Sequence, residues 1–390
     1  MQTYYRLNTN PMKLAVVTNF TPSKSNVSEY GYHLAKNFAK NQDVSELIVF
    51  TENSIDQTNT NDYSKINGCT VKINECLDRK TTKNAFSILK AVKEEKPDAI
   101  LFNLHSTQPN SNSLMSVLLP LVLKLKGIST IVLLHQVKTE GFLNKTFTRL
   151  LLQADLVTVT LEEQARLFRE NFNAHNVSVV RHGSFSTPVF PQPVKKDEPK
   201  KVLAFGKFGT YKRVEILIEA IEQVRKRTEE KIELIIAGTD APEAQGYLDK
   251  VKKSYHDVED IFFTGYVEES NVKHVFKEST IVAFPYTSLE GNAGILHQAG
   301  AYGKATVLPQ TKDFEIISQE EGYTGAFFNQ RSISSLATAI ESLIVNDEYR
   351  TEVAETNYQA ACKNTLASVT SLYITLFKNI IDNKYSYALV

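Results

Sequence analysis

Lys201-Val202-Leu203-Ala204-Phe205-Gly206-Lys207-Phe208-Gly209 decides the fold of this chain. A near-continuous apolar run reads as a strand buried on both faces, the kind that parallel sheets contain, with Gly206-Lys207-Phe208-Gly209 as the turn that closes it. Lys212 follows, and Val214-Glu215-Ile216-Leu217-Ile218 then opens a segment of helical period. A second junction repeats the design further on. There the strand Ile281–Pro285 leads through Glu290-Gly291-Asn292-Ala293-Gly294-Ile295 into a helix that carries Gln298. Strand, turn and helix in that order are the unit of a doubly wound α/β sheet, whose ligands sit beyond the carboxyl ends of the strands.

The same alternation extends in both directions. Upstream, strands are expected at Leu14–Asn19, Ile48–Phe50, Val71–Ile73, Ala99–Leu104, Ile131–Leu134, Leu156–Thr160 and Val177–Arg181, with helical segments between most of them. Downstream they fall at Leu234–Ala237, Ile261–Thr264, Thr306–Leu308 and Ala326–Phe328, and the tail from Glu348 to Tyr385 reads as helix with a break near Asn364. A proline- and charge-rich stretch, Pro188 to Lys200, interrupts the pattern and reads as a linker. The chain of 390 residues therefore divides into a tail (1–12), a Rossmann-like domain (13–187), the linker (188–200), a second Rossmann-like domain (201–355) and C-terminal helices (356–390). Two such domains are expected to face one another across a cleft.

Composition narrows the function. Lys+Arg and Asp+Glu both number 44, so no global field favours nucleic acid or an anionic membrane, and anion binding must be local. Three cysteines without CxxC spacing suit a reducing compartment, so a cytoplasmic location is expected, the inner face of the membrane being the alternative. The first dozen residues lack a signal-peptide core. The apolar run Leu114–Leu125 contains Pro120 and is shorter than the roughly 20 residues of a membrane helix. Asp-x-Asp, GxxxxGK[ST], GxSxG and a strand-linked GxGxxG are all absent. That disfavours a carboxylate-held metal, a P-loop NTPase, an α/β-hydrolase and an NAD site.

Lys207 and Lys212 are candidates to neutralise a diphosphate as its bond to a sugar breaks. The free N–H groups of a helix opening near Gly294 suit phosphate or sugar hydroxyls. Glu290 is placed to accept hydrogen bonds from vicinal hydroxyls, and Gln298 to meet a ribose. His135 and His105 each end an apolar strand in the first domain, where a histidine hydrogen-bonds a sugar, accepts a proton or simply closes the strand.

Together these residues resemble family 4 glycosyltransferases of GT-B architecture. The resemblance rests on Phe205-Gly206-Lys207 with Lys212, Ile235-Ile236-Ala237-Gly238, Phe263-Thr264-Gly265-Tyr266-Val267, and Glu290 to Gln298. Lys96-Pro97-Asp98, His135 and Ala154-Asp155-Leu156 fall in family order in the first half. The resemblance implies transfer of a hexose from a nucleotide-diphosphate sugar (UDP-, GDP- or ADP-linked) with retention of configuration, no cofactor and no metal. It implies a donor side on the second domain and an acceptor side on the first, with the final helices crossing back to the first. Lys207, Lys212, Glu290 and His135 would be catalytic. Gly206, Gly238, Tyr266, Val267, Asn292, Ala293, Gly294, Ile295 and Gln298 would bind the donor, with Tyr266-Val267 near the base. Ser25, Asn26 and His105 would lie on the acceptor side. The acceptor itself is a carbohydrate, lipid, protein or small molecule, and peripheral membrane association is compatible with it.

Three positions depart from the family pattern. Lys207 replaces an arginine, Gln298 replaces a glutamate, and Ser25-Asn26-Val27-Ser28 replaces a glycine pair. Lysine keeps the charge and loses the planar fork. A non-catalytic nucleotide-sugar-binding or partner subunit, and an epimerase or phosphorylase on the same architecture, are the alternatives.

Overall fold

The computed structural model describes residues 11–18, 26–52, 65–66, 68–77, 84–106, 114–138, 140–194, 198–209, 211–287 and 294–388. The chain forms two compact units, one made of 1–182 with 366–390 and one of 183–365.

The first unit contains β1 (Met12–Val17), α1 (Asn26–Ala39), β2 (Val44–Glu52), β3 (Lys65–Ile66), β4 (Cys69–Leu77), α2 (Asn84–Glu95), β5 (Ala99–Ser106), α3 (Leu114–Leu125), β6 (Ser129–Gln136), α4 (Phe142–Leu151), β7 (Leu156–Val159), α5 (Glu162–Phe172) and β8 (Val177–Val179). The strands form one sheet in the order β3-β4-β2-β1-β5-β6-β7-β8. All pairs are parallel except β3 with β4, an antiparallel edge that apolar periodicity did not signal because β3 has only two residues. Alternate strand residues serve opposite faces. Ala15, Ile48, Ile100, Val132 and Val157 join one core cluster with Ala85, Ile88 and Leu123 of the helices. The intervening position Thr158 points the other way, toward Tyr373 at 2.8 Å.

The second unit contains β9 (Lys200–Phe208), α6 (Val214–Arg227), β10 (Ile232–Asp240), α7 (Tyr247–Ser254), β11 (Ile261–Gly265), α8 (Glu269–Glu278), β12 (Ile281–Ala283), α9 (Gly294–Ala301), β13 (Ala305–Pro309), α10 (Lys312–Glu321), β14 (Ala326–Phe328), α11 (Ile333–Val345) and α12 (Asp347–Lys363). Its sheet is wholly parallel in the order β11-β10-β9-β12-β13-β14. Numbered within the unit, that is 3-2-1-4-5-6, the Rossmann order, with its reversal between β9 and β12. The last helix, α13 (Leu366–Ala388), belongs to the first unit, and the chain turns out of helix between α12 and α13 at Asn364.

Most strands differ from the sequence reading by a few residues at their ends, and two of these differences lie at the reversal. Gly206-Lys207-Phe208-Gly209 was expected to be a turn, yet β9 continues through Phe208. Its register with β10 holds there, with Gly206 opposite Gly238, Lys207 opposite Thr239 and Phe208 opposite Asp240. Gly206 and Gly238 make this possible. Both have positive φ (118° and 142°), and a Cβ on Gly238 would overlap the carbonyl oxygen of Gly206. Conversely β12 stops at Ala283 rather than at Pro285, because the Tyr286 N–H turns back to the Phe284 carbonyl at 2.7 Å.

Candidate functional site

At the reversal of the second sheet, two chain segments that leave neighbouring strands in opposite directions are tied together. Beyond β9 the Lys212 N–H donates to the Gly209 carbonyl at 3.0 Å. After β12 the chain turns tightly at Pro285, with the Tyr286 N–H on the Phe284 carbonyl. The Arg213 N–H donates to the Pro285 carbonyl at 3.0 Å, and the Thr287 N–H donates to the Tyr211 carbonyl at 2.9 Å. These two bonds flank Lys212 and Tyr286, which therefore oppose each other as a non-hydrogen-bonded antiparallel pair. In such a pair both side chains lie on one face and approach closely. The Lys212 ammonium accordingly sits over the Tyr286 ring, 4.9 Å from its centroid, and 5.8 Å from that of Tyr211. Lys212 is 5% exposed and Tyr286 4%.

Helix α6 begins beside this turn and is braced from outside. The Val214 N–H, unpaired within its own helix, donates to the Tyr247 hydroxyl at 2.7 Å, and that hydroxyl donates to Glu215. Arg213 pairs with the same carboxylate at 2.8 Å, and tyrosine and arginine together hold it below the usual range against its desolvation.

Opposite stands α9, which opens at Gly294 as the sequence suggested. A Cβ placed on Gly206 would lie 2.8 Å from Ile295 Cδ1 and 3.0 Å from Lys212 Nζ. Glycine at 206, the first turn of α9 and the Lys212 ammonium thus converge on one point. A helix N-terminus carries partial positive charge and unpaired N–H groups, so two positive centres meet there, an arrangement suited to an anion. α9 is anchored from behind. Its His297 Nε2 lies 2.6 Å from Glu321 Oε2 at the end of α10, both side chains 2% exposed, and the Tyr323 ring packs edge-on against the imidazole at 5.0 Å.

The remaining predicted residues fall in several places. Gly238 supports Gly206 from β10, and Lys207 is half-buried near the end of β9. Gln298 lies in α9, 7% exposed. Tyr266, 45% exposed, and the half-buried Val267 follow β11, two strands from β9. Glu290, Asn292, Ala293 and Ser25 lie outside the described residues. Asn26 opens α1.

In the first unit His135 is the next-to-last residue of β6 and is 5% exposed, whereas His105 near the end of β5 is exposed. His135 Nε2 lies 2.7 Å from Asn103 Oδ1, and Asn103 Nδ2 donates to Thr18 Oγ1 at 2.8 Å. Thr18, Asn103 and His135 come from the carboxyl ends of β1, β5 and β6, on either side of that sheet's own reversal. The Tyr30 ring meets the imidazole edge-on at 4.7 Å, and its hydroxyl donates to the His182 carbonyl at 3.1 Å. Burial, and secondarily the charge of His105, push His135 down to about 3, so the ring is neutral at physiological pH.

Sequence reasoning passed over Tyr211, Tyr286, Thr18, Asn103 and the His297–Glu321 pair. Each is defined by what it touches. The one available signal was the pair of tyrosines, one beside the candidate lysine and one beside Pro285.

Residues 186–360, within the second unit, match the family described as Glycosyl transferases group 1. No curated protein matches the chain in sequence. Solved structures share its fold over nearly the whole length. A glycosyltransferase from Rickettsia africae has a TM-score of 0.70 at 15% identity, over 96% of this chain and 100% of that one. Sucrose-phosphate synthase from Thermosynechococcus elongatus has a TM-score of 0.69 at 14% identity, over 94% and 98%. Alr3699/HepE of Anabaena, in complex with UDP, has a TM-score of 0.68 at 14% identity, over 94% and 100%. The two Rossmann-like units make the fold that of the GT-B glycosyltransferases. The match to group 1 glycosyl transferases lies in the second unit, the one that holds the site described above.

Proposed function

We propose that the chain transfers a hexose from a nucleoside diphosphate sugar to an acceptor, with retention of configuration and without a bound metal, as a cytoplasmic enzyme of carbohydrate biosynthesis. The observation that carries this reading is the convergence of the Lys212 ammonium and the α9 N-terminus over Gly206, at the reversal of the second sheet. As the bond between sugar and diphosphate breaks, negative charge gathers on the leaving phosphate. An ammonium about 4 Å away contributes roughly 4 kcal/mol at an effective dielectric of about 20. Realised mainly in the transition state, that corresponds to nearly a thousandfold in rate.

In this reading Lys207 and Lys212 meet the diphosphate, and the N–H groups at Gly294 and Ile295 meet the phosphate oxygens. Glu290, with Asn292 and Ala293, holds hydroxyls of the sugar, Gln298 meets the ribose, and Tyr266-Val267 lies by the base. On the first unit His135, a neutral ring, hydrogen-bonds a sugar hydroxyl. Ser25, Asn26 and His105 serve the acceptor. The GT-B fold is compatible with such a donor: Alr3699/HepE has been solved with UDP and with UDP-glucose.

Thermal-shift titration with UDP, GDP and ADP tests the reading. A bound nucleotide at 100 times its dissociation constant adds about 2.7 kcal/mol of stability, and none of the three doing so would refute the reading. Lys212→Ala should then lower turnover by about 10²–10⁴ with the fold intact, and EDTA should leave wild-type turnover unchanged.

A further inference from the structure

We propose that Tyr286, seconded by Tyr211, is a positioning residue that holds the Lys212 ammonium in place through its π face. The inference rests on the reading of Lys212 given above and adds how that side chain is aimed. Lysine has four rotatable bonds, and fixing them costs side-chain entropy. An ammonium left to roam would contribute little to a developing charge. Backbone pairing removes the first uncertainty. Lys212 and Tyr286 are opposed as a non-hydrogen-bonded pair, so their side chains share a face whatever their chemistry.

Ring geometry removes the second. Nζ lies 4.9 Å from the Tyr286 centroid and 5.8 Å from that of Tyr211, both within the range of a cation–π contact. The two rings are themselves edge-on at 5.7 Å, and Tyr286 is fixed by edge-on packing on Phe284 at 5.3 Å. The aromatic pair thus orients the ammonium.

Fluorination separates this role from packing, because it drains the ring quadrupole while nearly preserving shape. Phenylalanine and its mono-, di- and trifluorinated forms are placed at position 286 of the full chain, in the native background and in Lys212→Ala. Two quantities are read: the melting temperature without nucleotide, and the dissociation constant for UDP. The expected result with Lys212 present is a stepwise fall in melting temperature along the series. UDP binding should weaken in parallel by about 5- to 30-fold in all. Both trends should vanish in Lys212→Ala. A flat melting series in the native background, or the same slope in Lys212→Ala, overturns the proposal. If Lys212→Ala binds UDP as tightly as wild type, the donor reading fails, and the melting series still decides whether the ring positions the lysine.

Discussion

His135 is a histidine whose neighbours decide its state. The Asn103 amide gives its N–H to Thr18 and turns its oxygen to the imidazole, so Nε2 carries the ring proton and Nδ1 is the acceptor nitrogen. Protonation would bury a cation, which is why the pKa falls to about 3 from 6.5. The sign of the linkage follows. Below pH 6.5 the unfolded chain takes up a proton that the folded ring refuses until about pH 3. The stability tied to this residue is therefore complete above pH 6.5 and lost as the pH falls through that window. On the order of 3 kcal/mol should disappear between pH 7 and pH 4. Urea unfolding across this range should show a flatter dependence in His135→Gln, and identical slopes would mean that the ring is solvated. Sequence alone placed His135 at the end of an apolar strand and Lys212 just ahead of a helix, and the structure has them near the end of β6 and two residues before α6. The sequence could not show Asn103 or Tyr286 as their partners, since those contacts join residues 32 and 74 positions away.

At the scale of the element, the site depends on how closely β9 and β10 approach. Strand and helix identities were legible because buried parallel strands are apolar throughout and the helices between them are periodic. The limits of β9 and β12 were not, because glycine and proline read as turn signals, and here Gly206 and Gly238 sit inside a ladder. Gly238→Ala would push a methyl into the Gly206 carbonyl, from a backbone φ of 142° that other residues rarely adopt. A loss of at least about 3 kcal/mol in unfolding free energy is expected, together with loss of nucleotide-induced stabilisation. A well-folded variant that still responds to UDP would show that the two strands separate without consequence.

On the scale of the whole molecule, 183–365 is one unbroken stretch with its own sheet and core, whereas the other unit is assembled from both ends of the chain. The composition and the proline-rich stretch announced two domains. Nothing in the local pattern of α13 announced its allegiance, because an amphipathic helix does not say which sheet it covers. Tyr373 and Phe377 are fully buried and Ile374 nearly so, and Tyr373 bonds Thr158 of β7. Removing these three side chains forfeits on the order of 6 kcal/mol, comparable with the whole stability of a domain. Deleting 366–390 should therefore leave residues 11–182 open to protease while the fragment 183–365 stays resistant, which limited proteolysis with mass mapping will resolve. Equal resistance of both would show that α13 is dispensable.

The split ancestry of that unit reverses the usual order in which a nascent protein matures. Chains commonly fold from the amino end as they leave the ribosome, one domain at a time. Here the first unit emerges early yet waits for α13, which is made only after the whole of 183–365. The later-made unit can close before α13 has been made, and the earlier-made unit reaches its final state only with it. A stop codon ahead of Leu366 would accordingly damage the unit that begins with β1.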